Sequence, residues 1–325
     1  MLVDEGYPGN SPLVSVIMPT YNQAGFIAKA IDSVLRQTES NLELIIIDNF
    51  SDDGTKEVVL SHRDPRVQYF SFKNKGIIAA SRNVAIRRAR GKYIAFLDSD
   101  DYWDPEKLTQ QLIYFRNDDV VAVSSRATLF GEKIYYRDQT NFDAKKEFFD
   151  IGYEELLNDN QVITSSVVVR AASLSKTQLF NENPDFICIE DWDLWLQLTK
   201  LGKIRILRQK LVHYFVSRKR GEAYSLVAEN MTKLMARERD SGFLAEAYYR
   251  EPVYSIFLTI ARSYIEYDAK KSQKYYWSVL KGATNVNKKL KALVGFLLCC
   301  MPLGLRQKLL YGLYQIEHAF VWRKW

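Results

Sequence analysis

Three aspartates follow directly on an apolar run in the first third of the chain. The run is Tyr93–Leu97, and the acids are Asp98, Asp100 and Asp101. A short apolar run of this kind is typical of a strand buried in a parallel sheet, so the acids lie at its carboxyl end, where open α/β sheets bind ligands. Crowded carboxylates repel one another unless a divalent cation joins them, and Mg²⁺ or Mn²⁺ then meets the oxygens of a phosphorylated substrate. The alternative is that Asp100 or Asp101 caps the helix that Pro105 begins.

Strand-like and helix-like segments alternate from Leu13 to about Leu207. Strands are predicted over Leu13–Met18, Leu42–Ile47, Val67–Phe72, Tyr93–Leu97, Val120–Ser124, Thr164–Arg170 and Lys203–Leu207. Helices are predicted over Phe26–Gln37, Gly54–Leu60, Ile77–Ala89, Pro105–Arg116 and Glu190–Leu201. This alternation predicts an α/β fold with a mostly parallel sheet flanked by helices. Strand signals stop after about Tyr224, which predicts an all-helical C-terminal extension.

The domain organisation follows from these patterns. Residues 1–11 contain Gly, Pro, Asn and Ser without periodicity and are predicted to be a loose leader. An α/β domain is predicted over 12–221 and a helical region over 222–325. The three cysteines form neither a disulfide framework nor a zinc-ligand spacing, which is typical of a reducing compartment. No basic segment precedes an apolar core near residue 1, so no secretory signal is predicted.

The positive charge of the chain is concentrated near its C-terminal end. The net charge is +6, yet residues 1–221 hold 29 Lys and Arg against 30 Asp and Glu, while residues 281–325 hold 8 basic residues against Glu317 alone. The apolar run Ala292–Leu305 is too short to span a membrane. A basic amphipathic tail predicts a peripheral position on an anionic membrane. The alternative is a helical lid or an interface between copies of the chain. Nucleic acid is not a predicted partner, because no recognised binding module accompanies the charge.

Further polar residues follow the first two strands and enter the third helix. Thr20 and Asn22 offer hydrogen bonds at the end of the first strand, and Tyr21 offers a stacking face, which would suit a nucleobase and ribose; a plain strand-to-helix turn is the alternative. Asp48 ends the second apolar run and could accept a bond from a base N–H or a ribose hydroxyl. Arg82 could neutralise a diphosphate, although an isolated arginine on a helix is usually a surface residue.

A pair of acids begins the last helix predicted within the α/β domain. Glu190 and Asp191 precede bulky apolar residues. Acids are favoured at a helix N-terminus by the macrodipole, so a structural role is one interpretation. The other is that Asp191 acts as a general base, taking a proton from an incoming hydroxyl.

The order of these motifs resembles the family-2 inverting glycosyltransferases, over about residues 11–216. The resemblance is carried by Pro19-Thr20-Tyr21-Asn22, Asp48 with Ser51-Asp52-Asp53-Gly54-Thr55, Gly76 with Ala80-Ser81-Arg82-Asn83, Phe96–Asp101, and Glu190-Asp191. It implies the GT-A fold, in which a single α/β domain binds a nucleotide-diphosphate sugar. The activity it implies is transfer of a sugar, most often UDP-linked, to a glycan or lipid-linked acceptor for surface or exported polysaccharide, on the cytoplasmic face of the membrane.

The resemblance also implies roles for individual residues. Asp100, the last acid of the Asp-X-Asp pattern, would ligate Mn²⁺ or Mg²⁺, and Asp191 would be the catalytic base, with Glu190 as an accessory residue. The nucleotide sugar would be bound by Pro19, Thr20, Tyr21, Asn22, Asp48, Arg82, Asp98 and Ser99. Direct displacement of the diphosphate by the acceptor hydroxyl inverts the anomeric centre, without a covalent intermediate.

The chain departs from the family near its last predicted strand. Many relatives carry a Tyr-Arg-X-His element there; aligned on Tyr214, it leaves Phe215 in place of the Arg and Ser217 in place of the His. His213 could substitute, although a structural histidine is the alternative, and Arg218 could cover the diphosphate. The Gln-X-X-Arg-Trp element of processive members is absent, which predicts one sugar per encounter. Gly131–Tyr153 is predicted to be the variable region over the acceptor.

Three other functional classes compete with this interpretation. A nucleotidyltransferase would need a Gly-rich, basic loop after the first strand, and Gln23-Ala24-Gly25 is not one. A dehydrogenase would need a G-x-G-x-x-G after a strand, and no strand is followed by it. A degenerate relative that scaffolds a glycan-assembly complex is compatible with the altered Tyr-Arg-X-His element, although Asp100 and Asp191 are intact.

Overall fold

The computed structural model describes residues 11–131, 146–158, 160–216, 224–242, 253–258, 261, 264–265 and 268–310. The chain divides into two compact units, Met1–Arg218 and Lys219–Trp325. The predicted leader lies outside the described residues except for Ser11. Arg218 and most of the predicted variable region Gly131–Tyr153 also lie outside them. The assignment of functional domains to 12–221 and 222–325 stays a prediction.

The first unit is built on a nine-stranded sheet with the order β3-β2-β1-β4-β8-β6-β9-β5, to which β7 adds by pairing with β9. The strands are β1 Val14–Thr20, β2 Leu42–Asp48, β3 Val67–Ser71, β4 Tyr93–Phe96, β5 Tyr102–Trp103, β6 Val120–Gly131, β7 Phe148–Ile151, β8 Val168–Arg170 and β9 Lys203–Val216. The helices are α1 Ile27–Leu35, α2 Thr55–Ser61, α3 Ile78–Ile86, α4 Lys107–Leu112, α5 Tyr153–Asn158, α6 Ala171–Leu174 and α7 Glu190–Thr199.

The predicted α/β sheet flanked by helices is confirmed, and the sheet is mixed. Strands β1 to β4 pair in parallel, and β6 also runs parallel to β9. Strand β8 is antiparallel to both β4 and β6, and so joins the two parallel parts. Every residue of β1, β2 and β4 is buried, which is why these strands read as continuous apolar runs.

The first strand extends two residues beyond its predicted end at Met18. Strand β1 continues through Pro19, which pairs with Ile47, to Thr20. The Ile17 carbonyl faces β4 and accepts from the Leu97 N–H at 3.0 Å. Residues two apart in a strand face the same side, so Pro19 also faces that side, where β4 has already ended at Phe96. A proline is tolerated there because no ladder hydrogen bond is lost.

Three predicted strands differ from the observed structure. Val120–Ser124 continues to Gly131 as β6. Thr164–Ser166 is a 3₁₀ turn and only Val168–Arg170 is a strand. The hydroxyls of this turn bond to other parts of the unit, so the backbone is held in a turn rather than a ladder. Strand β9 has 14 residues, nearly three times the length of the short strand predicted over Lys203–Leu207, because β5, β6 and β7 all pair along it.

The described part of the second unit is helical, as predicted for the C-terminal extension. Its main helices are α8 Tyr224–Asp240, α9 Ala269–Gly282 and α10 Val286–Cys299. Side chains of α9 and α10, with neighbours that precede α9, form a separate apolar cluster. Among the described residues, no helix combines the length and apolarity needed to cross a membrane.

Candidate active site

Polar residues at the ends of β1, β2 and β4 lie along one edge of the sheet. Thr20 pairs with Asp48, and both residues close their strands. The Leu97 N–H bonds to Ile17, so Asp98 follows β4 at the same edge. The predicted grouping of Thr20, Asp48 and Asp98 is therefore what parallel pairing produces.

Asn22 joins the loop after β1 to the loop after β2. Its side-chain amide donates to Asp52 Oδ1 at 2.8 Å, and its Oδ1 accepts from the Asp52 N–H at 3.0 Å. The Asn22 N–H also donates to Ser51 Oγ at 2.9 Å. Asn22 has φ of 51°, in the left-handed region that asparagine tolerates better than most residues. Both ends of its amide are thus committed to protein, whereas the neighbouring Tyr21 ring is 54% exposed.

Asp48 is buried and fully bonded within the protein. Its Oδ1 accepts from the Ser51 N–H and hydroxyl, and its Oδ2 accepts from the Tyr69 hydroxyl at 2.6 Å. Burial and this bond raise the pKa of Tyr69 to about 12. Asp48 therefore fixes the base of the β2–α2 loop.

Arg82 projects from α3 toward two carboxylates, of which Glu190 is buried and Asp98 partly buried. Its Nη2 donates to Asp98 Oδ1 at 2.8 Å and its Nη1 to Glu190 Oε1 at 3.0 Å. The Arg82 side chain is 4% exposed, and the two acids raise its pKa although burial opposes them. Burial raises the pKa of Glu190, and the Arg82 charge opposes that rise. Arg82 is thus an internal counter-ion and not a surface residue.

The alternative in which Asp100 or Asp101 caps a helix is wrong. Helix α4 begins at Lys107, and its N-cap is Glu106, which makes no side-chain capping bond. Asp101 is buried; its Oδ2 accepts from Ser165 Oγ and its Oδ1 from the Phe215 N–H at 2.7 Å. Burial and the charges of Asp100 and Asp98 raise the pKa of Asp101 well above its usual range.

The oxygen atoms available at Asp100 suit a hard divalent cation. Asp100 is partly exposed, Ser99 beside it is buried, and both oxygens of Asp101 are bonded to protein. Among the described residues, no cluster of three or more His, Cys, Asp or Glu side chains is arranged to hold a metal by itself. A cation at Asp100 would complete its coordination with substrate and water oxygens, as Mg²⁺ sites with one or two carboxylates do.

Asp191 lies at the start of α7 with its carboxylate held in place. Thr164 Oγ1 donates to Asp191 Oδ2 at 2.8 Å, and the Trp192 N–H donates to Oδ1 at 2.6 Å. Burial raises the pKa of Asp191, while the Thr164 bond and the Arg82 charge oppose that rise. A partly exposed carboxylate with a raised pKa is a stronger base than an ordinary aspartate.

Three buried polar atoms in this region have no hydrogen-bond partner in the described part of the chain. They are Thr20 Oγ1, Arg82 Nε and Glu190 Oε2. Glu190 also lines a shallow cleft together with Gly76–Ala79, Asn181 and Ile187. Buried polar groups in native proteins are almost always bonded, so a polar ligand or an ordered water is expected to complete these three.

The end of β9 lies beside the acidic loop, but its His213 and Phe215 side chains pack against aromatic rings. The His213 ring stacks on Tyr102, with centroids 4.2 Å apart, and Lys29 Nζ lies 3.4 Å from the Tyr102 centroid. Burial, and then the Lys29 charge, lower the pKa of His213. The Phe215 ring packs against Phe26 at 4.9 Å. His213 therefore has the packed environment of the structural alternative.

Two supporting residues were not identified from the sequence. The Thr164 hydroxyl donates to Asp191. The Ser165 hydroxyl donates to Asp101 and accepts from the Asp98 N–H at 3.0 Å. The hydroxyl run Thr164-Ser165-Ser166 at the start of an apolar segment was the available signal, because hydroxyl residues favour local bonding over ladder pairing.

Comparison with known proteins places the chain in a family. The protein-family model described as glycosyl transferase family 2 matches residues 15–182, just over half of the chain. The chain therefore belongs to glycosyl transferase family 2, and its first unit has an α/β fold of the GT-A type.

Two relatives from Escherichia coli illustrate the similarity. The chain is 31% identical over 228 residues to the UDP-Glc:alpha-D-GlcNAc-diphosphoundecaprenol beta-1,3-glucosyltransferase WfgD, covering 70% of this chain and 84% of that one. It is 33% identical over 202 residues to chondroitin synthase, covering 60% of this chain. The match spans 27% of chondroitin synthase and 31% of a Rickettsia conorii glycosyltransferase, so the chain corresponds to under a third of those proteins.

Solved structures share the fold at low sequence identity. TarS 1–349 of S. aureus in complex with UDP has a TM-score of 0.55 at 18% identity, covering 88% of this chain and 89% of that one. The mannosyltransferase PcManGT of Pyrobaculum calidifontis, in complex with GDP-Man and Mn²⁺, has a TM-score of 0.58 at 17% identity, covering 97% and 89%. These likenesses establish the architecture alone.

Proposed function

We propose that this protein is a metal-dependent, inverting, non-processive glycosyltransferase. It would move a sugar from a UDP-linked donor to a hydroxyl of a glycan or lipid-linked acceptor in the synthesis of surface or exported polysaccharide. The observation that carries the proposal is the buried network in which Arg82 links Asp98, beside Asp100, to Glu190, beside Asp191. One arginine thus connects the acids suited to a donor diphosphate with the acid suited to a base.

The donor would lie along the carboxyl edge of β1, β2 and β4. Thr20 Oγ1 and Arg82 Nε are buried and without hydrogen-bond partners in the described residues. Each can therefore bond a polar atom of the nucleotide sugar without breaking an existing bond. Exposed Tyr21 offers a face for a base. Pro19, Asp48, Asp98 and Ser99 would shape the same pocket. A uridine donor agrees with the names of WfgD and of the TarS complex, whereas PcManGT was solved with GDP-Man.

Asp100 would hold Mn²⁺ or Mg²⁺ together with donor oxygens. When bound, the cation would supply positive charge that stabilises the leaving diphosphate. PcManGT, of the same fold, was solved with Mn²⁺. Asp101 supports Asp100 indirectly, because its two bonded oxygens fix the backbone of the acidic loop.

Asp191 would accept the acceptor's hydroxyl proton. As that proton moves to the carboxylate, the hydroxyl oxygen bonds the anomeric carbon and the bond from that carbon to the diphosphate oxygen breaks. One displacement of this kind inverts the anomeric configuration. Bonds from Thr164 and the Trp192 N–H hold the carboxylate in orientation, and its raised pKa favours proton transfer.

The acceptor would be carried on a lipid at the inner face of the cytoplasmic membrane. WfgD, which the chain matches over 84% of its length, is named for a diphosphoundecaprenol-linked acceptor. This proposed location also gives a role to the basic tail.

The first test is calorimetric titration of UDP, GDP, dTDP and CDP, each with and without Mn²⁺. UDP is expected to bind in a metal-dependent manner, and Asp100→Ala should abolish the metal dependence, while the exposed control Asp118→Ala should retain it. Asp191→Asn should retain UDP binding and lose about 10²–10⁴-fold in turnover. Failure of all four nucleotides to bind with Mn²⁺ present would contradict the proposal.

A non-catalytic scaffold is the second candidate. It is favoured by the apolar packing of Phe215 where family members carry arginine, and by the stacking of His213 on Tyr102. Sugar transfer in cell extracts with added acceptor lipid distinguishes the two. If Asp191→Asn left both UDP binding and this turnover unchanged, the scaffold would be the better description.

A further inference from the structure

Helix α10 carries apolar residues on two opposite faces. Its inner face, formed by Ala292, Gly295, Leu298 and Cys299, is buried in the apolar cluster of the second unit. A Cβ at Gly295 would lie 2.1 Å from the Tyr276 ring, so glycine is what allows the two helices to approach. This face alone accounts for the folding role of the helix.

The outer face of α10 is apolar but exposed. Val286, Leu290, Leu293, Val294 and Leu297 are 74, 61, 44, 46 and 52% exposed. Their spacing of three, four or one residue places them in a single stripe along one side of the helix, roughly opposite the buried face. We call these five residues the outer stripe. Helices of water-soluble proteins normally present polar residues on the exposed side, so a stripe of this length indicates an interaction surface.

Apolar exposure continues beyond the helix end. Leu303, Leu305 and Leu309, in the helical segment 303–310, are 49, 50 and 40% exposed. On the other flank, the half-exposed Trp277 ring packs against Phe296, with Lys281 Nζ 5.0 Å from its centroid. A tryptophan with a nearby lysine is typical of the boundary between lipid and water.

The charge of this region has a single sign. Residues 269–310 contain nine Lys and Arg and no Asp or Glu. Lys289 and Lys291 belong to α10 and flank the outer stripe, where their ammonium groups can extend beside it. A two-fold interface between copies would oppose two such surfaces without any acid to pair them. An anionic surface is therefore the complementary partner.

We propose that the outer stripe docks in the plane of an anionic phospholipid surface, with Lys289 and Lys291 among the headgroups. Helix α10 has 14 residues, about 21 Å at 1.5 Å per residue, which is too short to span a bilayer but suits an interfacial helix. This inference deepens the proposed function, on which it rests for the lipid-linked acceptor. It names the face by which the enzyme reaches its substrate.

The test is flotation of the full-length protein with vesicles. Vesicles of phosphatidylethanolamine with about 30% phosphatidylglycerol should bind the protein, whereas pure phosphatidylcholine should bind it at least ~10-fold more weakly. The double variant Leu290→Gln/Leu297→Gln should lose at least ~10-fold in binding, because each leucine contributes apolar burial. Lys289→Gln/Lys291→Gln should reduce binding at low salt, and about 0.5 M NaCl should reduce binding of the unmodified protein.

A matched control separates this surface from general apolar exposure. Leu60→Gln/Leu201→Gln alters two leucines that are 57 and 44% exposed in the first unit, and it should leave vesicle binding unchanged. UDP titration of every variant serves as a readout independent of vesicles: intact UDP binding with lost flotation supports the inference, and lost UDP binding alone contradicts only the proposed function. Absence of flotation with the anionic vesicles, or dimerisation that Leu290→Gln/Leu297→Gln abolishes, would overturn the lipid assignment.

Discussion

Arg82 and Glu190, 108 residues apart in sequence, form a buried ion pair with Nη1 3.0 Å from Oε1. The pair connects helix α3, which lies between the parallel strands β3 and β4, to the start of helix α7, where Asp191 is the next residue. Because the same guanidinium also binds Asp98, the position of the candidate base depends on the region that would hold the donor.

Replacing the arginine should cost stability in a pH-dependent way. Arg82→Met leaves Asp98 and Glu190 without their counter-ion, and we expect a loss of about 3–5 kcal/mol in the free energy of unfolding near neutral pH. Without the arginine charge, the folded-state pKa of Glu190 rises further above its ordinary value of 4.5. A raised folded-state pKa stabilises at low pH and loses that contribution as pH rises, so the deficit should grow from pH about 5 to 8.

Urea unfolding at the two pH values measures this effect. Arg87→Met, at the exposed C-cap of the same helix, is the control and should change stability by less than about 0.5 kcal/mol. A deficit for Arg82→Met that is equal at both pH values would show that Glu190 does not titrate in response to the arginine.

Thr164 should tune the pH profile of turnover. Its hydroxyl bond to Asp191 opposes the rise in the pKa of that carboxyl, so Thr164→Val should raise the pKa further. At low pH kcat/KM falls because the base becomes protonated. The pH at which it falls should then rise by about one unit. Thr164→Ser keeps a hydroxyl and should leave that pH unchanged. An unchanged pH in the valine variant would argue against Asp191 as the base.

Asn22 should contribute more to loop stability than to direct contact with a ligand. Asn22→Ala removes two bonds to Asp52 and places alanine at a φ of 51°, with an expected cost of about 2 kcal/mol. Asn22→Gly loses the same bonds but adopts that φ readily, so about half of the cost should be recovered. Thermal unfolding of both variants checks the order. Equal melting temperatures would mean that backbone conformation at residue 22 contributes nothing.

Lys107 should destabilise the folded protein near neutral pH. Its side chain is fully buried, its Nζ has no hydrogen-bond partner among the described residues, and burial lowers its pKa well below the ordinary 10.5. Between the folded-state pKa and 10.5 the unfolded chain binds more protons, so stability should rise with pH in that window. Lys107→Met, of similar volume, should gain about 1–2 kcal/mol at pH 7 and lose this slope.

Urea unfolding at pH about 7, 8 and 9 gives the slope. Lys29→Met is the control, because Lys29 Nζ also lies over an aromatic ring but the residue is exposed. It should keep the slope of the unmodified protein. A Lys107→Met variant that kept the slope as well would assign the pH dependence to other groups.

The parallel half of the sheet was predictable because burial on both faces leaves continuous apolar runs. Strands β1 to β4 therefore begin and end within two residues of the predicted positions. The antiparallel half was harder to predict. Thr164–Ser166 runs directly into an apolar strand, and its turn conformation depends on bonds to Ser124 and Asp191, which are 42 and 27 residues away in sequence.

The site was predictable as a set of residues but not as a set of contacts. Parallel pairing alone predicts that Asp48 and Asp98 share an edge. Nothing in the local pattern around Arg82 indicates that it reaches Glu190, because such a contact depends on how α3 and α7 pack. For the same reason, the sequence offered Asn22 as a ligand contact, and the structure shows it bonded to Asp52.

The bond from the Phe215 N–H to Asp101 has a consequence for sequence variation. Asp101 is held by the main chain of β9, and every residue type except proline supplies the same donor. The side chain at 215 can therefore be exchanged while the acidic loop keeps its anchor. Substitutions at this position, proline excepted, leave the loop that carries Asp100 tied to the sheet.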